Sequence, residues 1–453
     1  MTAVQNFMER HFVPMAAKLG SMKLLIAMRD SFVSTMPAAM AGSLAVMINA
    51  MIRDLPGQFI DGYDPSSIPV IAQIISINGF MWQGTLAIIG IIFAFSWGYN
   101  LCRAWGVDSF PGGLISLATL IMGIPFMVPD GPWGWLPLSH LGAQSYFTTM
   151  ILGGLSIALY ITLMKRDITI KLPDSVPPAI SRAFTAIIPA TVGLYAVATI
   201  YYIFSLTIGA DGMTIVQWIS EVIARPLLQL SQGYPAVAII TILVSLLWFF
   251  GLHGPNILAP ILEGLWGVAQ VENMNTFQEG GLQAVMEGIA RGDGSAYAWV
   301  RGSFDAYAWF GGSGGTLTLV IAIFLLSKRA DYKIVGKLGV GPGIFNINEP
   351  VMFGLPIVLN PVMFIPFFLA PLVATSIGYF ATMAGLVNPV TQSITWVMPP
   401  FLLSFLATAG DWRAPIVTLV CFVVSFLIYA PFVIAANGQE KAMLEKAEDE
   451  DEA

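Results

Sequence analysis

Hydrophobic residues in this chain come in runs far longer than a soluble core helix needs, and the charged residues fall between them. Runs without Asp, Glu, Lys or Arg occupy 31–52, 65–102, 109–129, 131–164, 183–210, 226–262, 306–327, 350–410 and 414–439. A helix crossing about 30 Å of hydrocarbon needs roughly 20 apolar residues, and the run 350–410 has room for more than one crossing. The pattern predicts an all-α integral membrane protein with about ten membrane-embedded segments. Residues 1–30 hold Arg10, Lys18, Lys23 and Arg29 among acids and polar groups, so no cleavable leader is expected and the first span is read as retained.

Composition sharpens this reading. The 453 residues are 56% hydrophobic and 10% charged, which excludes a soluble globular enzyme. Of the net charge of -7, the stretch 440–453 carries -5, from seven acids and two bases. That stretch, EKAEDEDEA at its end, is expected to be a solvated acidic tail with no fold of its own. The 20 Lys and Arg form no basic stripe, so no nucleic-acid partner is implied. Cys102 and Cys421 offer neither a disulfide framework nor metal spacing and are read as packed apolar residues; no metal or cofactor is called for. Basic residues cluster before the first span, at Arg103, at 165–182, at 328–337 and in the tail, which places both termini in the cytoplasm by the positive-inside rule. Residues 271–305 mix both signs and receive no side, with a cap over a site and a dimer interface both open.

Two segments are apolar yet repeatedly broken by Gly, Pro and Asn: GLHGPNILAP (251–260) and GVGPGIFNINEPVMFGLPIVLNP (339–361). Broken backbone at membrane depth survives only where it is buried in protein or lines a wet cavity, and transporters place substrate sites there. A glycine cluster, Gly311, Gly312, Gly314 and Gly315 around Ser313, lacks the Lys of a phosphate-binding loop and is read as a close-packing device. Within these breaks ionisable groups are sparse: His253 is the one group in 226–262 that titrates near neutral pH, and Glu349 the one carboxylate in 338–410. His253 alone reads equally as a satisfied core histidine or as a site residue. Glu349, beside Asn346 and Asn348, fits a polar cluster that meets a ligand better than an interfacial carboxylate.

FNINEPVMFGLPIVLNPVMFIPF (345–367), LWFFGLHG (247–254) and KLPDSVPPAISRAF (171–184) carry a resemblance, extended by FGGSGGTLTL (310–319), SKRADYK (327–333) and WVMPP (396–400). Together they resemble the sugar-translocating IIC component of the bacterial phosphoenolpyruvate-dependent phosphotransferase system, in its lactose, cellobiose and diacetylchitobiose branch. The resemblance implies about ten transmembrane helices plus two re-entrant hairpins, near 253–270 and 340–360. It implies a homodimer with an N-terminal dimerisation scaffold (1–210), a connecting amphipathic segment (211–232), a C-terminal sugar-transport half (233–438) and the tail (439–453). It further implies elevator-like movement of a disaccharide, which a phosphocysteine on a separate IIB protein then phosphorylates at a primary hydroxyl.

On that basis Glu349 is expected to orient the accepting hydroxyl and take its proton, and His253 to hold the same end of the sugar, the two roles being exchangeable. Asn348 and Gly254 complete the polar set, Trp396 supplies the stacking platform, and Gln83 is a weaker substrate contact, equally readable as a helix–helix hydrogen bond. Arg103 and Arg182 are read as positive-inside residues, Trp133 and Trp135 as interfacial anchors, Met36, Met40, Met47 and Met51 as packing surface. His11 and His140 are given no specific task. The competing function is a proton-coupled sugar transporter without phosphotransfer.

Overall fold

The computed structural model describes residues 21–54, 56–57, 60, 62–124, 136–137, 140–173, 175–355, 357–358 and 360–451. Trp133, Trp135 and His11 lie outside them, as do the side chains of Met40 and Met47. Every regular element among the described residues is helical.

The N-terminal part begins with α1 (Lys23–Asn49), α2 (Pro69–Gln83), α3 (Ile89–Trp105) and α4 (Ser109–Met122), followed by α5 (Ala143–Lys165) and α6 (Pro178–Leu206). Hydrophobic pressure cannot sort helices from one another in lipid, so close packing and interhelical hydrogen bonds do it. α1 and α3 are tied by reciprocal bonds, Ser31 Oγ to the Ser96 carbonyl (3.3 Å) and Ser96 Oγ to the Ser31 carbonyl (3.0 Å). α3 meets α4 through glycines: a Cβ on Gly98 would overlap the Gly112 carbonyl oxygen, and one on Gly112 would overlap the Cys102 sulfur. Cys102 and Cys421 are both fully buried, as packed thiols. Asn78 of α2 donates to Asn49 of α1 at 2.7 Å, both residues buried. His140 is more engaged than the sequence suggested. It is buried, with Nε2 2.9 Å from Thr214 Oγ1, the hydroxyl that caps the helix beginning at Ile215.

The C-terminal part opens with α7 (Ile215–Ser231), bent by 75° against α8 (Tyr234–Phe249). The chain turns at Gly251 (φ 75°) and enters α9 (Gly254–Ile261), where Pro255 fits the first helical turn, its missing N–H costing nothing there. A wide turn at Leu262–Gly267 continues into α10 (Val268–Arg291), which kinks at Gly280 and Gly281. Residues 254–270 thus form one continuous helical path, and the bend in this region lies before it, at 250–253. Proline and histidine open a helix at that point instead of interrupting one. Next come α11 (Arg301–Tyr307), α12 (Thr316–Leu326), α13 (Ala330–Ile344), α14 (Glu349–Gly354), α15 (Pro361–Met383), α16 (Pro400–Ala407) and α17 (Arg413–Asp451). α13 and α14 pack on one another across Phe345–Asn348, which puts the second broken segment at the tip of a helical hairpin.

Among the described residues, five helices, Lys23–Arg53 and Arg413–Asn437 included, are long and apolar enough to cross a membrane, and the bent α7–α8 pair becomes a sixth if counted as one span. The other apolar runs fold as shorter or broken helices, because Gly and Pro divide them before they reach spanning length. The acidic tail departs from expectation: α17 runs on through it to Asp451. Ala, Glu, Lys, Met and Leu at 440–447 are strong helix formers, and a helix already nucleated upstream extends at low cost.

Replacing Gly98 by Ala is expected to lower the melting temperature of the detergent-purified protein, with a cost of roughly 1–3 kcal/mol from overpacking two backbones. Differential scanning fluorimetry checks it, and an unshifted transition would mean that α3 and α4 are not held at this crossing.

Candidate functional site

The hairpin tip is held in shape by side-chain amides. Asn346 sits in left-handed backbone (φ 61°), a conformation that Asn tolerates better than most residues. Its Nδ2 donates to the carbonyls of Trp396 (2.6 Å) and Met398 (3.0 Å), and its Oδ1 accepts the Gly311 N–H (2.9 Å). Asn348 donates to the Ser313 carbonyl at 2.9 Å. The glycine cluster is thereby explained: all four glycines have positive φ, and a Cβ on Gly312 would stand 2.8 Å from the Asn348 side chain. Three irregular segments, 311–315, 346–349 and 396–398, are thus tied into one wall.

That wall faces α9. His253 caps α9: its Nδ1 accepts the Asn256 N–H at 3.2 Å, which assigns the proton of the neutral ring to Nε2. Nε2 lies 3.8 Å from Glu349 Oε1, across the gap between the two broken segments. Trp248 packs against the imidazole, ring centroids 4.5 Å apart, and fixes its plane. Glu349 stands in the first turn of α14, with Asn348 as the residue before it.

His253 and Glu349 open onto a cavity of about 1060 Å³. Trp396, Asn348, Trp248 and Ser393 border it on the C-terminal side; Phe32, Thr35 and Met36 of α1 border it on the other, so it lies at the seam between the two halves. Met36 is accordingly a cavity residue as well as part of a packing face. Of the residues expected at a site, His253, Asn348, Glu349 and Trp396 converge here. Gly254 is buried just behind: a Cβ there would overlap the Val244 carbonyl, so it lets α9 approach α8. Gln83, at the exposed end of α2, is not brought to the cavity. Arg103 and Arg182 are exposed and away from it.

The structure also supplies wall residues that sequence reasoning missed. Glu263, Arg301 and Asp305 line the same cavity, with Arg301 Nε 2.9 Å from Glu263 and Nη1 2.7 Å from Asp305. Residues 271–305, left without a side, therefore contribute directly to the cavity through Val271, Met274, Arg301 and Asp305. One signal was present: Glu263 and Asp305 each stand at the edge of a long charge-free run, and Arg301 precedes Asp305 by one helical turn.

Carboxylate, imidazole, amide and indole groups around one cavity suit a hydroxylated, apolar-faced solute, and the helices around it are membrane-class. The protein is thus a membrane transport protein by class. The family profile described as Phosphotransferase system, EIIC matches residues 29–371. A cellobiose-specific EIIC component of Lactococcus lactis subsp. lactis (strain IL1403) is 45% identical, covering 98% of this chain and all of that one. A lichenan permease IIC component of Bacillus subtilis (strain 168) is 32% identical over 95% of this chain and 93% of its own. The crystal structure of ChbC, the IIC component from the N,N'-diacetylchitobiose-specific phosphotransferase system, superposes with a TM-score of 0.86 at 31% identity, covering 97% and 99% of the two chains. The chain belongs to the phosphotransferase-system EIIC family, as its multi-pass membrane transport subunit.

Asn346→Asp is expected to destabilise the fold at neutral pH, because a carboxylate would face two carbonyl oxygens with no proton to give them. Its folded-state pKa is then raised, so the loss of stability should be largest at high pH and shrink as pH falls and the acid protonates. Thermal melts of the variant and the parent from acid to alkaline pH test this; a pH-independent difference would remove Asn346 as the tie.

Proposed function

We propose that this chain carries a β-linked disaccharide of the cellobiose or diacetylchitobiose type across the bacterial cytoplasmic membrane and presents its primary hydroxyl to a phosphocysteine on a separate IIB protein. The observation that carries the reading is the His253–Glu349 pair, 3.8 Å apart at the mouth of two broken segments in a cavity also bordered by Trp248 and Trp396. The names of the relatives, cellobiose-specific and diacetylchitobiose-specific, support the substrate class.

Glu349 accepts a hydrogen bond from the primary hydroxyl and takes its proton as the oxygen attacks phosphorus. The phosphorus–sulfur bond breaks, the phosphoryl group passes to the sugar oxygen, and the IIB cysteine leaves as thiolate. His253 Nε2–H donates to an oxygen at the same end of the sugar and holds it in line. Asn348 adds its amide, and Trp396 offers an indole face to the apolar side of a pyranose ring. Gly254 supports this end by letting α9 seat His253; Gln83 is given no contact in this arrangement.

In this reading residues 1–210 form the scaffold of a homodimer, 211–232 the connection, and 233–438 a body carrying the sugar by elevator-like movement, with two hairpins re-entering the membrane. Both termini and the acidic tail (439–453) are cytoplasmic, and the basic loops 165–182 and 328–337 form the face for phosphorylated IIB. The seam supports it, since the C-terminal body leans on α1 mainly through α9, with one long polar contact from Gln144 to Glu272 (3.4 Å) beside it.

Calorimetry on the purified protein is expected to detect cellobiose or diacetylchitobiose, and His253→Ala to abolish that binding. In vesicles supplied with the soluble components, Glu349→Gln should cut sugar phosphorylation about 100-fold or more. Accumulation of free sugar driven by a proton gradient would instead establish the proton-coupled alternative.

A further inference from the structure

Among the described residues, the acidic and basic side chains bordering the cavity are His253, Glu263, Arg301, Asp305 and Glu349. With the imidazole neutral, three carboxylates face one guanidinium, a surplus of two negative charges. The single cation among them is already paired with two of the carboxylates. Arg301 is bonded through Nε to Glu263 and through Nη1 to Asp305, and its guanidinium carbon lies 4.8 Å over the Trp309 ring. Its side chain and that of Asp305 are only 17% and 11% exposed, whereas Glu263 is 37% exposed and presents its carboxylate to the cavity.

Position matters as much as sign. Glu263 follows His253 along one helical path, and ten residues of rise amount to about 15 Å. The end formed by His253 with Glu349 and the end formed by Glu263 are thus set more than two helical turns apart along one wall. They are suited to the two ends of a linked pair.

We propose that Glu263, held by Arg301 and Asp305, forms the remote recognition end of the cavity, taking an uncharged hydroxylated ring and rejecting a ring that carries an anion. The proposal rests on the disaccharide reading above. Glu263 accepts hydrogen bonds from neighbouring hydroxyls of that ring, which a neutral sugar supplies and a phosphorylated or uronic ring meets with like charge. Glu349 exerts the same exclusion at its own end, so among the described residues a phosphorylated product meets only a cation already paired with Glu263 and Asp305. The cluster is consequently a selectivity device for neutral saccharides and a bias toward release.

The test compares cellobiose with its two monophosphates, phosphorylated on one ring or the other, by calorimetry on the full-length detergent-purified protein. The parent should bind cellobiose and reject both esters, and raised salt should narrow that gap by screening. Glu263→Gln, which leaves the Arg301–Asp305 pair in place, should raise affinity for one monophosphate by about tenfold and leave the other nearly unchanged. Glu349→Gln should relieve the opposite ester. Parent protein that binds either ester as well as cellobiose, or a Glu263→Gln protein with an unaltered melt that relieves neither or both equally, overturns the proposal while the transport reading stands. Folded parent protein that binds no neutral β-disaccharide overturns the transport reading and this inference with it.

Discussion

A helix may be broken inside a membrane protein only if the backbone groups it frees find partners, since lipid offers none. In the C-terminal half of this molecule those partners are side-chain amides. Asn346 satisfies one N–H and two carbonyls, and Asn348 a third carbonyl. Asn273 does the same deeper in the body, accepting from the Tyr297 N–H and donating to the carbonyls of Tyr297 and Val390. Gln270 accepts from Gly302 N–H, Gln232 from Trp299 N–H, and Asn437 bridges Leu326 and Lys328. Because an amide both donates and accepts without carrying charge, it replaces missing helical bonds at far lower desolvation cost than an ion pair.

The two halves are consequently built on different physics. The N-terminal helices stay largely regular and are joined by small residues and hydroxyls, Ser31 with Ser96 and Gly98 with Gly112, which align neighbours without ending them. The C-terminal half spends its regularity on loops and then binds those loops to one another. This second strategy is what frees His253, Glu349 and Trp396 to face one cavity from three different segments. Spanning helices present side chains on fixed faces, and no single one of them brings such a set together.

Much of this was legible in the sequence, and the reasons differ by level. Membrane class followed from run length and charge placement, and the break at 345–348 followed from Gly, Pro and Asn density, whereas in 251–260 the same residues open a helix at Gly254 and only the turn before it is irregular. His253 and Glu349 stood out because ionisable groups are rare in apolar surroundings, and the structure brings them into one cavity. The partner of each amide was not legible, since Asn346 and Trp396 are fifty residues apart and nothing in either segment names the other. The grouping of Glu263 with Arg301 and Asp305 was not legible for a related reason: a guanidinium bonded to two carboxylates reads in sequence as three solvated side chains, and nothing near Glu263 names Arg301, 38 residues on. The tail was misread because acidic composition argues for disorder only when no helix runs into it, and α17 does.

The amide network also bears on how such a body transmits motion. Each tie listens to a different part of the wall: Asn346 to the glycine cluster and to 396–398, Asn348 to Ser313, Tyr429 of α17 to the Gly314 carbonyl at 2.7 Å. Displacing any one of these segments alone would strand a buried donor or acceptor, at a cost of about 1–3 kcal/mol for each group left unpaired. Displacing them together strands none. The α1 residues that border the cavity on the other side are of another kind, Phe32, Val33 and Met36 with Thr35, whose hydroxyl bonds within its own helix to the Phe32 carbonyl. A wall knitted internally by hydrogen bonds and facing its neighbour through largely apolar surface is stiff within itself and replaceable at its boundary, which is the mechanical condition that the proposed elevator-like movement requires.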